Sequence, residues 1–336
     1  MRKLVTVRTI SEVLPIEGAD MIEVVKIDGW QCVAKKGEFS VGDSAAYFEI
    51  DSFLPAADPR YAFMEGRGVQ TNGDGSKGYR LRTIKLKGQL SQGLALPVSM
   101  FPETELLTDM DDFSNIIGVT KWEPSLPASL SGCAKGNFPG FIPKTDQERI
   151  QNMPWLLSDA GEWEVTQKLD GSSMTVFWNE GVFGVCSRNL ELKETEGNTF
   201  WRVANRLGLR EKLDSLGDNL AIQGELMGPG IQGNPSKLAN HDFYVFDVFN
   251  IDTQSMYGTT ERLLLTDTLG INHVPLITGN MSLTFKHGIP DILTFAESIT
   301  DQTNPNNPRP EGVVFKRLDG KESFKVISNK YLLKAD

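Results

Sequence analysis

The sequence predicts an α+β protein in two parts, a small N-terminal β-barrel followed by a larger region of antiparallel sheets with helices. Three observations predict it. At 336 residues the chain is long for one hydrophobic core and comfortable for two. Residues 1–125 read as short strands separated by glycine turns. From residue 144 onward, strand-like runs interleave with stretches of helical period.

In the first part, Leu4 to Arg8 alternates as a strand does. Ile22–Ile27 and Trp30–Ala34 flank Asp28-Gly29, the dipeptide that favours a two-residue hairpin turn. Gly42-Asp43 precedes another strand, Ala45–Ile50. Lys77–Lys87 then carries five cations and no acid. Read as one strand, it puts Arg80 with Arg82, and Lys85 with Lys87, in same-face pairs. Lysines also protect ordinary edge strands. The net charge is −10, however, so a local basic strip stands out as a candidate for tracking a phosphate backbone.

Residues 126–143 carry Pro127, Pro139 and Pro143, with Pro124 just before them, and show little period, as expected of a linker or wrapping segment. Thr145-Asp146-Gln147-Glu148 has the spacing of a capping box, predicting a short helix through Arg149 to Asn152. Beyond it, strands are predicted at Val182–Ser187, Leu220–Met227, Phe243–Phe249, Gly312–Lys316 and Ser323–Val326. Helices are predicted at Glu194–Leu216, Thr260–Leu269 and Asp291–Ser298.

Composition narrows the class. The chain is 40% hydrophobic and 23% charged, and no apolar run approaches a membrane span. Met1-Arg2-Lys3 leads into a strand rather than an apolar signal core. Cys32, Cys133 and Cys186 are odd in number and far apart, which suits a reducing, intracellular setting. His241, His273 and His287 show no zinc spacing.

The chemistry centres on Glu164–Val176. It enters as a strand, turns at Leu169-Asp170-Gly171 and leaves as a second strand from Met174, presenting Lys168 beside Asp170 at the turn. A turn lysine is ordinarily a surface residue. Here, charges recur at strand ends and inside apolar strands: Arg188, Glu225, Asp247, Glu311, Lys325. Single buried charges cost several kcal/mol, so such a set implies mutual pairing or a shared ligand, such as a metal and a polyphosphate. Gly171, Gly224 and Gly312, each beside an acid, allow close backbone approach.

These residues resemble a known family. Lys168-Leu169-Asp170-Gly171 is similar to the first motif of the covalent nucleotidyltransferases, the ATP-dependent ligases and capping enzymes. Ser187-Arg188, the run Gly224–Gln232, Asp242–Asp247, Glu311–Lys316 and Ser323–Lys325 resemble their later motifs, in the family's order, over residues 144–334. Gly228-Pro229-Gly230-Ile231-Gln232 and Phe243-Tyr244-Val245-Phe246-Asp247 resemble the nick-sealing RNA ligases, and the N-terminal part resembles the OB modules that some of these carry first. The resemblance implies an OB-type barrel over 1–125 and an adenylyltransferase domain over 144–336. The activity it implies is ATP-dependent joining of RNA 3′-hydroxyl and 5′-phosphate ends, by a monomer, at nicks in duplex RNA.

It also implies roles. Lys168 would be the nucleophile that carries AMP, with Gln167, Gly171, Arg188 and Phe246 around the nucleotide. Asp170, Glu225 and Glu311 would hold Mg²⁺ or Mn²⁺ through water. Lys316 and Lys325 would stabilise the phosphates and, with the metal, lower the Lys168 pKa. Arg80, Arg82, Lys85, Lys87 and Arg149 would meet RNA. One departure is that a second lysine common in the fifth motif is absent, where Lys325-Val326-Ile327 stands. DNA ligases, GTP-using capping enzymes and a non-catalytic binding protein of the same descent remain alternatives. The short stretch after Lys325 argues for the RNA ligases over the first two, which typically carry a further OB domain there.

Overall fold

The computed structural model describes residues 3–108, 111–123 and 132–333. Pro124 and Pro127 lie outside the described residues. The chain forms two compact units that divide after residue 126.

The first unit is built from short antiparallel strands in four small sheets. Ile22–Ile27 and Trp30–Lys35 form the expected hairpin, with Ile27 opposite Trp30 and Asp28 at a φ of 49°. Val5–Thr9 and Gly93–Pro97 flank Ser44–Glu49, and Tyr47 and Phe48 from that central strand pack into cores on opposite faces. Among the described residues the sheets do not join into one closed hydrogen-bonded barrel.

The basic run is not one strand. Lys77–Arg80 pairs with Ser52–Pro55, the ladder breaks at Leu81–Thr83, and Ile84–Leu86 starts a separate hairpin with Gln89–Ser91. Leu81 and Thr83 are buried, which turns the chain inward between the two pieces. Lys87 sits at the hairpin turn with a φ of 47°.

The second unit holds two sheets. An eight-stranded sheet runs from Ala134–Asn137 through Leu190–Leu192, Val182–Ser187, Ser172–Asn179, Leu220–Met227 and Asp242–Asn250 to Ser255–Met256, with Asn272–His273 also pairing to Asp242–Asn250. A five-stranded sheet orders Glu148–Arg149, Ser323–Ile327, Gly312–Arg317, Glu162–Lys168 and Leu276–Ser282. Helices Thr199–Arg206 and Leu209–Leu216 pack on the first sheet, and Ile289–Ser298 on the second.

Three expectations are corrected here. The helix predicted over 194–216 is two helices, because Gly208 adopts a φ of 62° and breaks it; Asn198 caps the first through its side chain. The capping box does not form: Thr145 Oγ1 bonds Ser173 Oγ, and Glu148 bonds the amide of Arg149 and the side chain of Asn152. Glu148-Arg149 is instead recruited as a parallel edge strand beside Ser323–Ile327, leaving a single 3₁₀ turn at Ile150–Asn152. Part of the expected linker is also sheet, since Ala134–Asn137 pairs with Leu190–Leu192. No helix among the described residues is long and apolar enough to cross a membrane.

Candidate active site

Lys168 stands where the chain passes between the two sheets. Glu162–Lys168 belongs to the five-stranded sheet and Ser172–Asn179 to the eight-stranded one, so Leu169–Gly171 is a crossing rather than a hairpin. Leu169 anchors the crossing in a small core with Met227 and Val274. Gly171 is required for a packing reason: a Cβ there would lie 2.6 Å from the Leu226 carbonyl oxygen and 2.8 Å from Glu225 Cγ. That tight approach lets the Gly171 amide donate to Glu225 Oε1 at 3.0 Å.

Each sheet delivers acids to this crossing. Glu311 precedes Gly312, which pairs with Lys168 in register, and Lys168 Nζ lies 2.9 Å from Glu311 Oε1. The other Glu311 oxygen is buried with no hydrogen-bond partner among the described residues. Glu225 arrives from the strand paired with Ser172–Asn179. Burial, reinforced by Glu311 and Asp170 against the pull of Lys168, pushes the Glu225 carboxyl up to about 8.

With the protein's own side chains alone, the balance at Lys168 favours the ammonium. Burial pushes its ammonium down, but Glu311, Glu225 and Asp170 together outweigh that, and the net shift is upward. The expected cationic neighbour Lys316 is committed elsewhere. Its Nζ donates to Asp247 Oδ1 at 2.6 Å and to the Phe246 carbonyl oxygen at 2.5 Å. Burial, opposed by Asp247, lowers its own pKa.

Phe246 owes its position to a β-bulge. Gln223 faces Asp247 and Gly224 faces Val245, so Phe246 is the extra residue on its strand. It is half-buried, and Lys316 Nζ lies 5.9 Å from its ring centre. Behind it, Glu164 and Arg262 form an ion pair at 2.5 Å, each almost wholly buried, and Arg262 Nε donates to His273 Nε2 at 2.9 Å. Because Glu164 and Lys316 lie in one sheet and Asp247 and His273 in the other, this network ties the two sheets together.

Other predicted residues fall in different places. The Gln167 side chain is buried and serves a loop, donating to Asp301 at 2.7 Å and accepting from the Gln302 amide. Arg188 is on the surface, paired with Asp146 at 2.5 Å. Arg149 is buried opposite Lys325, which removes it from the surface role expected of it. In the first unit Arg80 pairs with Asp51 at 2.6 Å and lies over the Trp122 ring, while Arg82, Lys85 and Lys87 are exposed.

A hollow of about 10 Å³, room for one water, lies beside Lys168. Its walls include Asp170, Glu311, Ser236, Asn307, Arg309 and Tyr331. The loop after residue 300 meets the loop after the Glu225 strand: Ser236 Oγ bonds Thr303 Oγ1 at 2.6 Å, and Asn304 donates to the Pro235 carbonyl at 2.8 Å. The hollow is far smaller than the several hundred Å³ that a nucleotide needs. A larger hollow, about 380 Å³, lies by Phe141 and Phe177 and holds none of the predicted residues.

The donor set suits a hard divalent cation: three carboxylates, one with a bare oxygen. No three acidic, histidine or cysteine side chains among the described residues are grouped tightly enough to ligate an ion directly. An ion held through its own waters fits that spacing.

Comparison with known proteins follows the same division of the chain. Residues 161–331 match the RNA ligase family and residues 4–98 match an OB-fold domain. Among solved structures, the chain is similar to a Naegleria gruberi RNA ligase with PPi, at 47% identity and a TM-score of 0.91 over 99% of this chain and 98% of that one. It is also similar to variants of that enzyme. One, with ATP and Mn, gives 46% identity and a TM-score of 0.91; another, with AMP and Mn, gives 46% and 0.90; both cover 98% of each chain. No curated protein matches. The chain belongs to the RNA ligase family. It is an RNA ligase with an OB-fold domain ahead of its catalytic region.

Proposed function

We propose that this RNA ligase uses ATP and a divalent metal, magnesium or manganese, to join RNA 3′-hydroxyl and 5′-phosphate ends, with duplex nicks as its preferred substrate. The N. gruberi structures with ATP and Mn and with AMP and Mn support the choice of nucleotide and metal. The observation that carries the reading is a lysine at a sheet crossing, 2.9 Å from one carboxylate and electrostatically coupled to two more.

In this reading Lys168 Nζ attacks the α-phosphorus of ATP. A nitrogen–phosphorus bond forms, the bond to the bridging oxygen breaks, and pyrophosphate leaves. AMP then passes to the RNA 5′-phosphate, and attack by the 3′-hydroxyl releases it. The ammonium must lose its proton before the first step, and Glu311, accepting from it at 2.9 Å, stabilises the ammonium until then. Asp170, Glu225 and Glu311 would hold the metal's water shell. The bound metal would supply charge against the α-phosphate and compete with the amine for those carboxylates. Phe246, lifted by its bulge, would stack on adenine, and Lys325 would face the phosphates.

The test is covalent labelling by radioactive ATP in the presence of Mg²⁺, followed by a panel of nicked, gapped and single-stranded 5′-phosphorylated RNAs. Label retained by Lys168→Met refutes the nucleophile. Equal sealing of single strands and nicks refutes the substrate.

A further inference from the structure

We infer that Tyr331 is a positioning residue for ligation: its hydroxyl holds the Asp170 carboxylate in the orientation from which Asp170 serves the metal's water shell. The inference rests on the reading that Asp170, Glu225 and Glu311 hold that shell. Tyr331 lies outside every motif that marks the family.

Tyr331 lines the hollow together with Lys168, Asp170 and Glu311. Its hydroxyl faces the Asp170 carboxylate, with Glu311 and Glu225 within electrostatic reach. The short helix Asn329–Leu332 that carries it is half-buried at Asn329, Tyr331 and Leu332. Polar links also hold that helix. Ser328 Oγ accepts from the Tyr331 amide at 3.3 Å, and the Ser328 amide donates to the Glu311 carbonyl at 2.9 Å. Tyr331 is thereby tied through its main chain to one acid and faces the side chain of another.

A phenol suits this task. Three carboxylates face a single ammonium at the crossing. An arginine or lysine at 331 would steady Asp170 but cancel the negative charge that draws a divalent cation. A neutral donor fixes the carboxylate and leaves the charge in place.

The experiment compares Lys168→Met with Lys168→Met/Tyr331→Phe, so that binding is read without turnover. Calorimetric titration of Mn²⁺ with ATP is the first measurement. Phenylalanine keeps the ring and removes only the donor, and a hydrogen bond to a charged group predicts roughly tenfold weaker metal-dependent ATP binding. In the Lys168-containing protein, Tyr331→Phe should raise the Mg²⁺ concentration for half-maximal adenylation by a similar factor, with the rate restored at saturating Mg²⁺. Ser328→Ala should move it in the same direction by less. Equal or tighter metal-dependent binding by Tyr331→Phe overturns the inference and leaves the proposed function standing. A Lys168→Met protein that does not bind ATP with Mn²⁺ overturns both.

Discussion

Lys168 Nζ and Glu311 Oε1 are 2.9 Å apart, where Lys168 ends one strand and Glu311 immediately precedes the neighbouring strand of the same sheet. The pair explains why the resting lysine is held as ammonium. Glu311→Gln removes a neighbour that favours the charged form, so the Lys168 pKa falls. The expected outcome is a metal-stimulated adenylation rate reduced by about 10²-fold or more, with the pH profile of the residual reaction displaced toward acid. A pH–rate series of covalent labelling checks it, and an unchanged profile would separate the pair from catalysis.

Much of this site is legible in the sequence because burying charge is expensive. Glu225, Asp247 and Glu311 stand out as acids within or beside apolar strands. The same signal marks Glu164, between Trp163 and Val165, a residue outside the family motifs that anchors the buried pair with Arg262. Partnership is what a sequence does not display. A turn at Leu169–Gly171 looks the same whether its two strands pair or enter different sheets. The bulge at Phe246 depends on register against Leu220–Met227, and the recruitment of Glu148-Arg149 depends on a free edge at Ser323–Ile327. Tyr331 follows the last motif by a few residues and gains its meaning only when Ser328 ties it to Glu311.

Glu225 gives a dependence on pH that can be read without substrate. Folding raises its pKa from 4.5 to about 8. The metal-free fold therefore binds a proton that the unfolded chain has released. This group's contribution to stability is complete below 4.5 and is lost as pH rises through about 8. In chelator, urea unfolding from about pH 5 to about pH 9 should show stability declining with pH, and Glu225→Gln should flatten that decline. Because metal-binding carboxylates must be deprotonated, Mg²⁺ binding with ATP near neutral pH should also release a proton, measurable in buffers of different ionisation enthalpy.

Gly171→Ala tests the tight crossing. Its new methyl would sit 2.6 Å from the Leu226 carbonyl and 2.8 Å from Glu225 Cγ. Overpacking of this kind costs about 1–3 kcal/mol, and here one of the atoms pushed aside belongs to Glu225, a proposed metal-holding acid. Adenylation should fall further than the loss of stability accounts for, as judged by labelling at a temperature where the variant is fully folded.

The Glu164–Arg262 pair predicts the reverse pattern, a large loss of stability with no altered chemistry at saturating substrate. Arg262→Leu strands a buried carboxylate, and breaking a buried pair from one side costs about 3–5 kcal/mol. The double change Glu164→Gln/Arg262→Leu should recover part of that loss. Urea midpoints for Arg262→Leu, Glu164→Gln and the double variant check it, and additivity would show that the pair is not coupled.

The basic run of the first unit separates into two kinds of residue, and the separation is measurable. Arg80 is held by Asp51 at 2.6 Å and by the Trp122 ring. Arg80→Ala should therefore cost about 1 kcal/mol of stability and little in RNA affinity. Arg82, Lys85 and Lys87 present their side chains to solvent. If they follow a phosphate backbone, Lys85→Ala/Lys87→Ala should weaken binding to nicked duplex RNA. The plot of log affinity against log salt should also become shallower, by about 1 for each phosphate no longer neutralised. Adenylation should not change, because the labelled lysine lies in the other unit. Sealing impaired at low salt with an unaltered salt slope would mean that these lysines shape the hairpin and touch no phosphate.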